Sequence, residues 1–397
     1  MTDSFSSIAA MIAVTALLAS APRPVFAAAP VEPTTPAEDA PEGPTDALDD
    51  VLESAARAGE LQGVFLVIDD GEIVYERGLG TDGSVGDLPI TPDTRFEIAS
   101  LAKPLTAIGI MTLVESGAIG LDDPAADHVP GFPYADITVR HLLSHTSGLP
   151  GHEAFLTEHW EAGGRATPRA LIAALREADI EPSAAPGARV GYSNLNYWTL
   201  ALMIEEVSGR RYAAFMHNRV FVPLGMHRTS VRCAPLRPET APPGLAVGEV
   251  RGDDGSWTRA GDTPGTAFVD FLSATEGDVH ITSTARDVAR LAAVTRGASI
   301  LGPASVEAMI TPVTLADGSM ATGGGWKPYA AGLGWKLSRP AEVWHDGNWG
   351  GFVSYASFEP RSGDGLIYLL RRPPSDYRLV NRVFGAAEAV QNATDGD

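Results

Sequence analysis

Cysteine is almost absent from this chain: Cys233 is the single one among 397 residues. No internal disulfide can form, so stability has to come from a packed core, and a metal site built on cysteine ligands is excluded. Positive charge is scarce as well. The 29 lysines and arginines face 50 aspartates and glutamates, a formal net charge of -21, which argues against a nucleic-acid partner and against docking on anionic lipid. Long hydrophobic runs are missing; the apolar stretch at residues 8–21 is too short to span a bilayer. No Gly-x-Ser-x-Gly elbow occurs. His141 and His145 lack the glutamate of a His-Glu-x-x-His metal site. Gly78-Leu79-Gly80-Thr81-Asp82-Gly83 matches a dinucleotide-binding glycine pattern, but no helix signal follows it, so it reads as a loop. What is present is 44 % hydrophobic content, enough at this length to bury a large core in two or three lobes.

The apolar run ends in Ala19-Ser20-Ala21, with further small residues at Ala27-Ala28-Ala29. Residues 1–29 therefore read as a secretory signal, although Asp3 stands where a positive n-region is usual. An exported protein is expected, periplasmic or secreted, with no stable membrane anchor beyond the signal. Residues 30–45, rich in Pro, Ala, Glu and Thr, read as an extended linker. The folded unit is expected over 46–390, with 391–397 as a tail.

Leu48, Val51, Leu52, Ala55 and Ala56 at helical spacing predict an amphipathic helix over 46–60. Val64-Phe65-Leu66-Val67-Ile68 and Ile73-Val74-Tyr75 flank Asp69-Asp70-Gly71-Glu72, a hairpin signal. From about 120 to 276 the pattern is helical, with segments at 168–178 and 197–208, and strands are scarce. Strand signals return at 333–337, 351–358 and 366–370, and a helix at 378–389 closes the chain. The expectation is an α+β fold, an α/β sandwich: one antiparallel sheet built from both chain ends, flanked by terminal helices, with an all-helical lobe inserted.

The chemistry concentrates at Ser100-Leu101-Ala102-Lys103, opening the apolar helix predicted over 101–115. Residues three apart on a helix are neighbours, so the Lys103 amine can reach the Ser100 hydroxyl. A serine is a poor nucleophile until a base takes its proton, and a lysine does this once burial lowers its pKa. The free N–H groups of a helix start favour the oxyanion formed when serine attacks a carbonyl. Taken alone, the same four residues also fit a helix cap followed by a solvated lysine.

Two further groups are candidates in combination. Tyr192-Ser193-Asn194 precedes an apolar helix, where a plain cap is the simplest reading. His345-Asp346-Gly347 stands just ahead of the strand that follows Gly350-Gly351. In their order and spacing, Ser-x-x-Lys, Tyr-x-Asn and His-x-Gly resemble the serine β-lactamase and penicillin-binding-protein superfamily. The likeness is to its class C-like branch, with family VIII carboxylesterases and D-amino-acid peptidases. Leu142-Leu143-Ser144-His145-Thr146-Ser147-Gly148-Leu149-Pro150, Ile281-Thr282-Ser283-Thr284-Ala285-Arg286-Asp287 and Gly332-Leu333-Gly334-Trp335 agree with it.

The resemblance implies Ser100 as nucleophile, Lys103 as its neighbour with a lowered pKa, and Tyr192 as general base, its phenol drawn down by adjacent cations. It implies Asn194 on the substrate amide or the lysine, His345 and Gly347 along the substrate strand, and the N–H groups of Ser100 and Asn348 as the oxyanion hole. No metal or organic cofactor is implied, and the partner is a small-molecule or peptide substrate. His345 stands where most of the superfamily has the lysine of Lys-Thr-Gly, a cation that holds a substrate carboxylate. That favours an esterase or D-amino-acid peptidase over a class C-like β-lactamase. A non-catalytic sensor of cell-wall fragments or penicillin is the alternative of another kind, disfavoured by a complete Ser100, Lys103 and Tyr192.

Overall fold

Helix α1 (Pro44–Arg57) starts two residues before the predicted point, with proline in its first turn, where a missing N–H costs nothing. The computed structural model describes residues 43–394 apart from 161–164, 264–265, 267, 298, 339–340 and 375–376. The expected signal and nearly all of the linker lie outside them. After α1, strands β1 (Gly63–Asp69) and β2 (Glu72–Leu79) form the predicted hairpin. The chain then leaves the sheet and returns as β3 (Thr322–Gly323), β4 (Tyr329–Ala331), β5 (Lys336–Ser338), β6 (Glu342–Trp349), β7 (Phe352–Phe358) and β8 (Gly365–Leu370), closing with helix α4 (Tyr377–Thr394).

These strands make one sheet in the order β2-β1-β8-β7-β6-β5-β4-β3. Strand β1 lies antiparallel beside β8, Gly63 facing Leu370 and Ile68 facing Gly365, so the two chain ends meet at adjacent strands. Every residue of β1, β7 and β8 is buried. Alternation explains it, because successive side chains point to opposite faces. Val64, Leu66 and Ile68 enter the core shared with the inserted lobe. Phe65 and Val67 pack instead with Leu48 and Leu52 of α1 and Leu379 and Val383 of α4. With both faces covered, the strands read as unbroken apolar runs.

The inserted lobe is built around α2 (Ala102–Glu115) and α3 (Asn194–Ser208), apolar almost all round and buried along most of their lengths, as a helix at the centre of a domain must be. Two features differ from the sequence expectation. Short strands occur within the 120–276 stretch: Ser230–Val231, which joins Ile281–Ser283 and Phe96–Glu97 in a three-stranded sheet, and Glu249–Arg251 paired with Trp257–Arg259. And β6 precedes the Gly350-Gly351 pair, which is the turn between β6 and β7, with φ of 57° and 87°. His345-Asp346-Gly347-Asn348 interrupts the apolar alternation that would have marked β6 as a strand. Among the described residues, no helix is long and apolar enough to cross a membrane.

Candidate active site

Ser100 occupies the middle of a single 3-10 turn, Ala99–Leu101, between the Phe96–Glu97 strand and α2. Ala99 has φ of 51°, a left-handed conformation that disfavours any residue with a Cβ. Its neighbours hold it there. Ile98 N–H donates to the Ile281 carbonyl at 2.9 Å, and the Ile98 carbonyl accepts from Ser354 Oγ on β7 at 2.6 Å. Strand β6 passes directly over the turn at Gly347, where an added Cβ would lie 2.8 Å from both Ala99 Cβ and the Ile98 oxygen. Glycine is required by that approach.

Helix α2 then places Lys103 one turn from Ser100. Pro104 is its third residue, and first-turn N–H groups have no helical partner to lose. Lys103 is 0 % exposed. Its Nζ lies 3.0 Å from Ser100 Oγ and donates to the Asp278 carbonyl at 3.0 Å, and it sits over the rings of Tyr192 and Tyr197. Burial lowers its pKa from 10.5 to about 7, the Asp278 charge opposing and Lys336 assisting. A sizeable fraction of the amine is therefore neutral at pH 7 and free to accept a proton.

Tyr192 is fixed just before α3 because Ser193 caps that helix, Ser193 Oγ accepting from Leu195 N–H at 3.3 Å. Although the residue is 38 % exposed, its hydroxyl donates to Ser100 Oγ at 3.0 Å. Burial raises the phenol well above 10, against the pull of the Ser100 hydrogen bond. This corrects the expectation that cations draw it down: burial first, then the Asp346 and Asp278 charges, push the phenol up, so it holds its proton.

His145 stacks on Tyr192 with ring centroids 4.3 Å apart. Its Nδ1 accepts from Asn196 Nδ2 at 3.0 Å and from Ser193 N–H at 3.4 Å, which places the ring proton on Nε2. Burial first, then the Lys103 charge, keep this histidine uncharged. His141 instead caps the helix Val139–Leu143, so the two histidines are committed to separate partners.

Asn194 opens α3 and is buried, with no hydrogen-bond partner for its side-chain oxygen. Of the two partners expected for Asn194, the substrate amide or the lysine, the lysine is taken instead by the Asp278 carbonyl. His345 lies within β6, 3 % exposed, its Nδ1–H donating to the Asp346 carbonyl at 2.7 Å. Burial, with Lys336 nearby, depresses its pKa to about 3, so it is uncharged at neutral pH. Asp346 pairs with Lys336 Nζ and accepts from Trp326 Nε1 at 3.0 Å.

Asn348 is placed by the hairpin. Trp349 faces Phe352 across the two-residue turn and forms the closing hydrogen-bonded pair, so the next pair, Asn348 and Val353, is not hydrogen-bonded. The Asn348 N–H thus points away from β7, and β5 reaches along β6 only to Trp344. The donor is left at the open sheet edge beside the Ser100 turn. Sequence reasoning missed Asp278 and Lys336. Lys336 directly follows Gly332-Leu333-Gly334-Trp335, a signal that could have found it; Asp278 carries none.

Comparison with known proteins agrees with this architecture. The family model described as Beta-lactamase matches residues 48–389. Penicillin-binding protein 4* of Bacillus subtilis (strain 168) is 31 % identical over 348 residues, 86 % of this chain and 75 % of the relative. The D-amino acid amidase of Ochrobactrum anthropi SV3, solved with D-phenylalanine, is 25 % identical with a TM-score of 0.69, covering 88 % of this chain and 99 % of that one. EstCE1, described as a hydrolase with promiscuous acyltransferase activity, shares the fold at 20 % identity and a TM-score of 0.69, covering 88 % and 98 %. By sequence and by fold, the chain belongs to the Beta-lactamase family.

Proposed function

We propose that this protein is a serine hydrolase that forms an acyl-enzyme on an ester or amide, of the esterase or D-amino-acid amidase and peptidase type. One observation carries the reading: Ser100 Oγ has Lys103 Nζ and Tyr192 Oη each at 3.0 Å, with an amine titrating at about 7. Neutral Lys103 takes the Ser100 proton as Oγ attacks the substrate carbonyl carbon. The carbonyl oxygen becomes an oxyanion between the N–H groups of Ser100 and Asn348. As the tetrahedral species collapses, Tyr192 gives its proton to the departing alcohol or amine and regains one from Lys103. Water then repeats the sequence on the acyl-enzyme.

The charge pattern supports substrates without a carboxylate. His345 is uncharged and Lys336 is engaged with Asp346, so neither offers a free cation to a substrate carboxylate. The amidase likeness points the same way. The test is a screen of purified protein against p-nitrophenyl esters, D-aminoacyl amides and a chromogenic cephalosporin. A fluorophosphonate probe with mass spectrometry locates the adduct. Ester or amide turnover with the adduct on Ser100 is expected. Labelling of Ser147 or Ser193 would refute the mechanism, and a dominant cephalosporin rate would refute the substrate class.

A further inference from the structure

The base Lys103 has a polar neighbour that neither the serine motif nor the tyrosine motif supplies. Gly277-Asp278-Val279-His280 is held at both ends. Gly277 has φ of 96°, and an added Cβ there would lie 2.4 Å from the Tyr197 carbonyl oxygen of α3. Its own carbonyl accepts from Thr106 Oγ1 of α2 at 2.7 Å. His280, at φ of 62°, contacts Glu97 Oε1 through Nδ1 at 2.9 Å and donates to the Leu272 carbonyl through Nε2 at 3.0 Å. Burial works against charge on this imidazole, but Glu97 outweighs it.

Between these anchors the Asp278 carbonyl receives the Lys103 amine. The Asp278 side chain is 1 % exposed, and its Oδ1 has no hydrogen-bond partner. A buried carboxylate is unfavourable unless something compensates it. The other groups facing the amine do not. Tyr192 and Tyr197 keep their protons; burial suppresses charge on His145, His345 and His152; Lys336 pairs with Asp346, and His280 with Glu97.

We propose that Asp278 is a positioning residue for the base: its carbonyl aims the Lys103 amine at Ser100, and its carboxylate is the counter-charge for the ammonium formed when Lys103 takes the serine proton. The inference rests on the acyl-enzyme reading of Ser100. Burial alone would leave Lys103 a weaker base, and the charge of Asp278, the residue whose carbonyl the amine contacts, opposes that.

Asp278→Asn keeps the carbonyl and the shape and removes the charge. The chain has three lysines, Lys103, Lys327 and Lys336, so a sample carrying 13C at the lysine ε position yields three resolvable titrations. That of Lys103 is the signal missing from Lys103→Met. The Lys103 midpoint should fall by about one pH unit in Asp278→Asn, and the acid limb of fluorophosphonate labelling at Ser100 should move down by the same amount. His280→Gln, which loosens the segment but keeps the Asp278 charge, should slow labelling without moving the Lys103 midpoint to that extent. If circular dichroism shows Asp278→Asn unfolded, Asp278→Ser takes its place in the same titration. An unmoved Lys103 midpoint in the folded variant overturns the proposal. If wild-type Ser100 takes no probe at any pH, the acyl-enzyme reading fails, and the lysine titration still decides whether Asp278 and Lys103 are coupled.

Discussion

Replacing Lys103 by methionine should destroy activity and make the protein more stable at pH 7. Lys103 is fully buried, and its pKa falls from 10.5 to about 7 on folding. Each pH unit of such displacement is worth about 1.36 kcal/mol, so holding this lysine in the interior at pH 7 costs about 4 kcal/mol. Methionine fills a similar volume without charge. It forfeits the hydrogen bonds to Ser100 Oγ and the Asp278 carbonyl, which returns about 1–2 kcal/mol of the gain. The net expectation is a stabilisation of about 2 kcal/mol, a Tm rise of about 2–5 °C.

The pH dependence has a definite sign. Above 10.5 the lysine is neutral in both folded and unfolded chains and carries no penalty. As pH falls from 10.5 towards 7 the unfolded chain binds the proton first, so the folded wild type loses relative stability. Below about 7 both states are protonated and the penalty levels off. Urea unfolding of both proteins between pH 6 and pH 10, followed by circular dichroism, should show the advantage of Lys103→Met shrinking towards the alkaline end and reversing there. A variant less stable than wild type at pH 7, or a difference that stays flat across the range, would refute the reasoning.

Other outcomes follow from the same geometry. Tyr192→Phe should lower kcat by about 10²–10⁴ with the fold intact by circular dichroism; near-wild-type activity would leave Lys103 as the sole proton carrier. Gly347→Ala pushes a methyl group to 2.5 Å from Ser354 Oγ and 2.8 Å from Ala99 Cβ, so denaturant unfolding should show a loss of about 2–4 kcal/mol. The same variant should lose about a hundredfold in kcat/KM, because the oxyanion donors shift. For a neutral ester, kcat/KM should rise with pH through about 7 as Lys103 loses its proton. His345→Gln should leave that midpoint in place, because His345 titrates at about 3; a second inflection between pH 5 and 8 that vanishes in the variant would show His345 charging after all.

Much of this architecture could be read from the chain. The apolar runs at Val64-Phe65-Leu66-Val67-Ile68 and Leu366-Ile367-Tyr368-Leu369-Leu370 are strands because both sheet faces are covered, and burial on two faces leaves a continuous apolar signature. The 168–178 helix and the Ser193 cap were legible for local reasons: a proline at the first turn, and a side-chain oxygen positioned for a backbone N–H. Strand β6 was not legible. Its His345-Asp346-Gly347-Asn348 segment packs against the Ser100 turn at Gly347, and polar residues with a glycine break the apolar alternation that marks a strand.

The pairing of Ser100 with Lys103 was readable because helix geometry alone brings residues three apart together, so the distance between them is a local fact. The protonation states were not local. Lys103 titrates near neutrality, Tyr192 keeps its proton and His345 stays uncharged because of burial by segments distant in sequence. Asp278 enters the site from 175 residues away. Desolvation and Coulomb energy depend on what surrounds a group in space, and that arrangement exists only once the chain has folded.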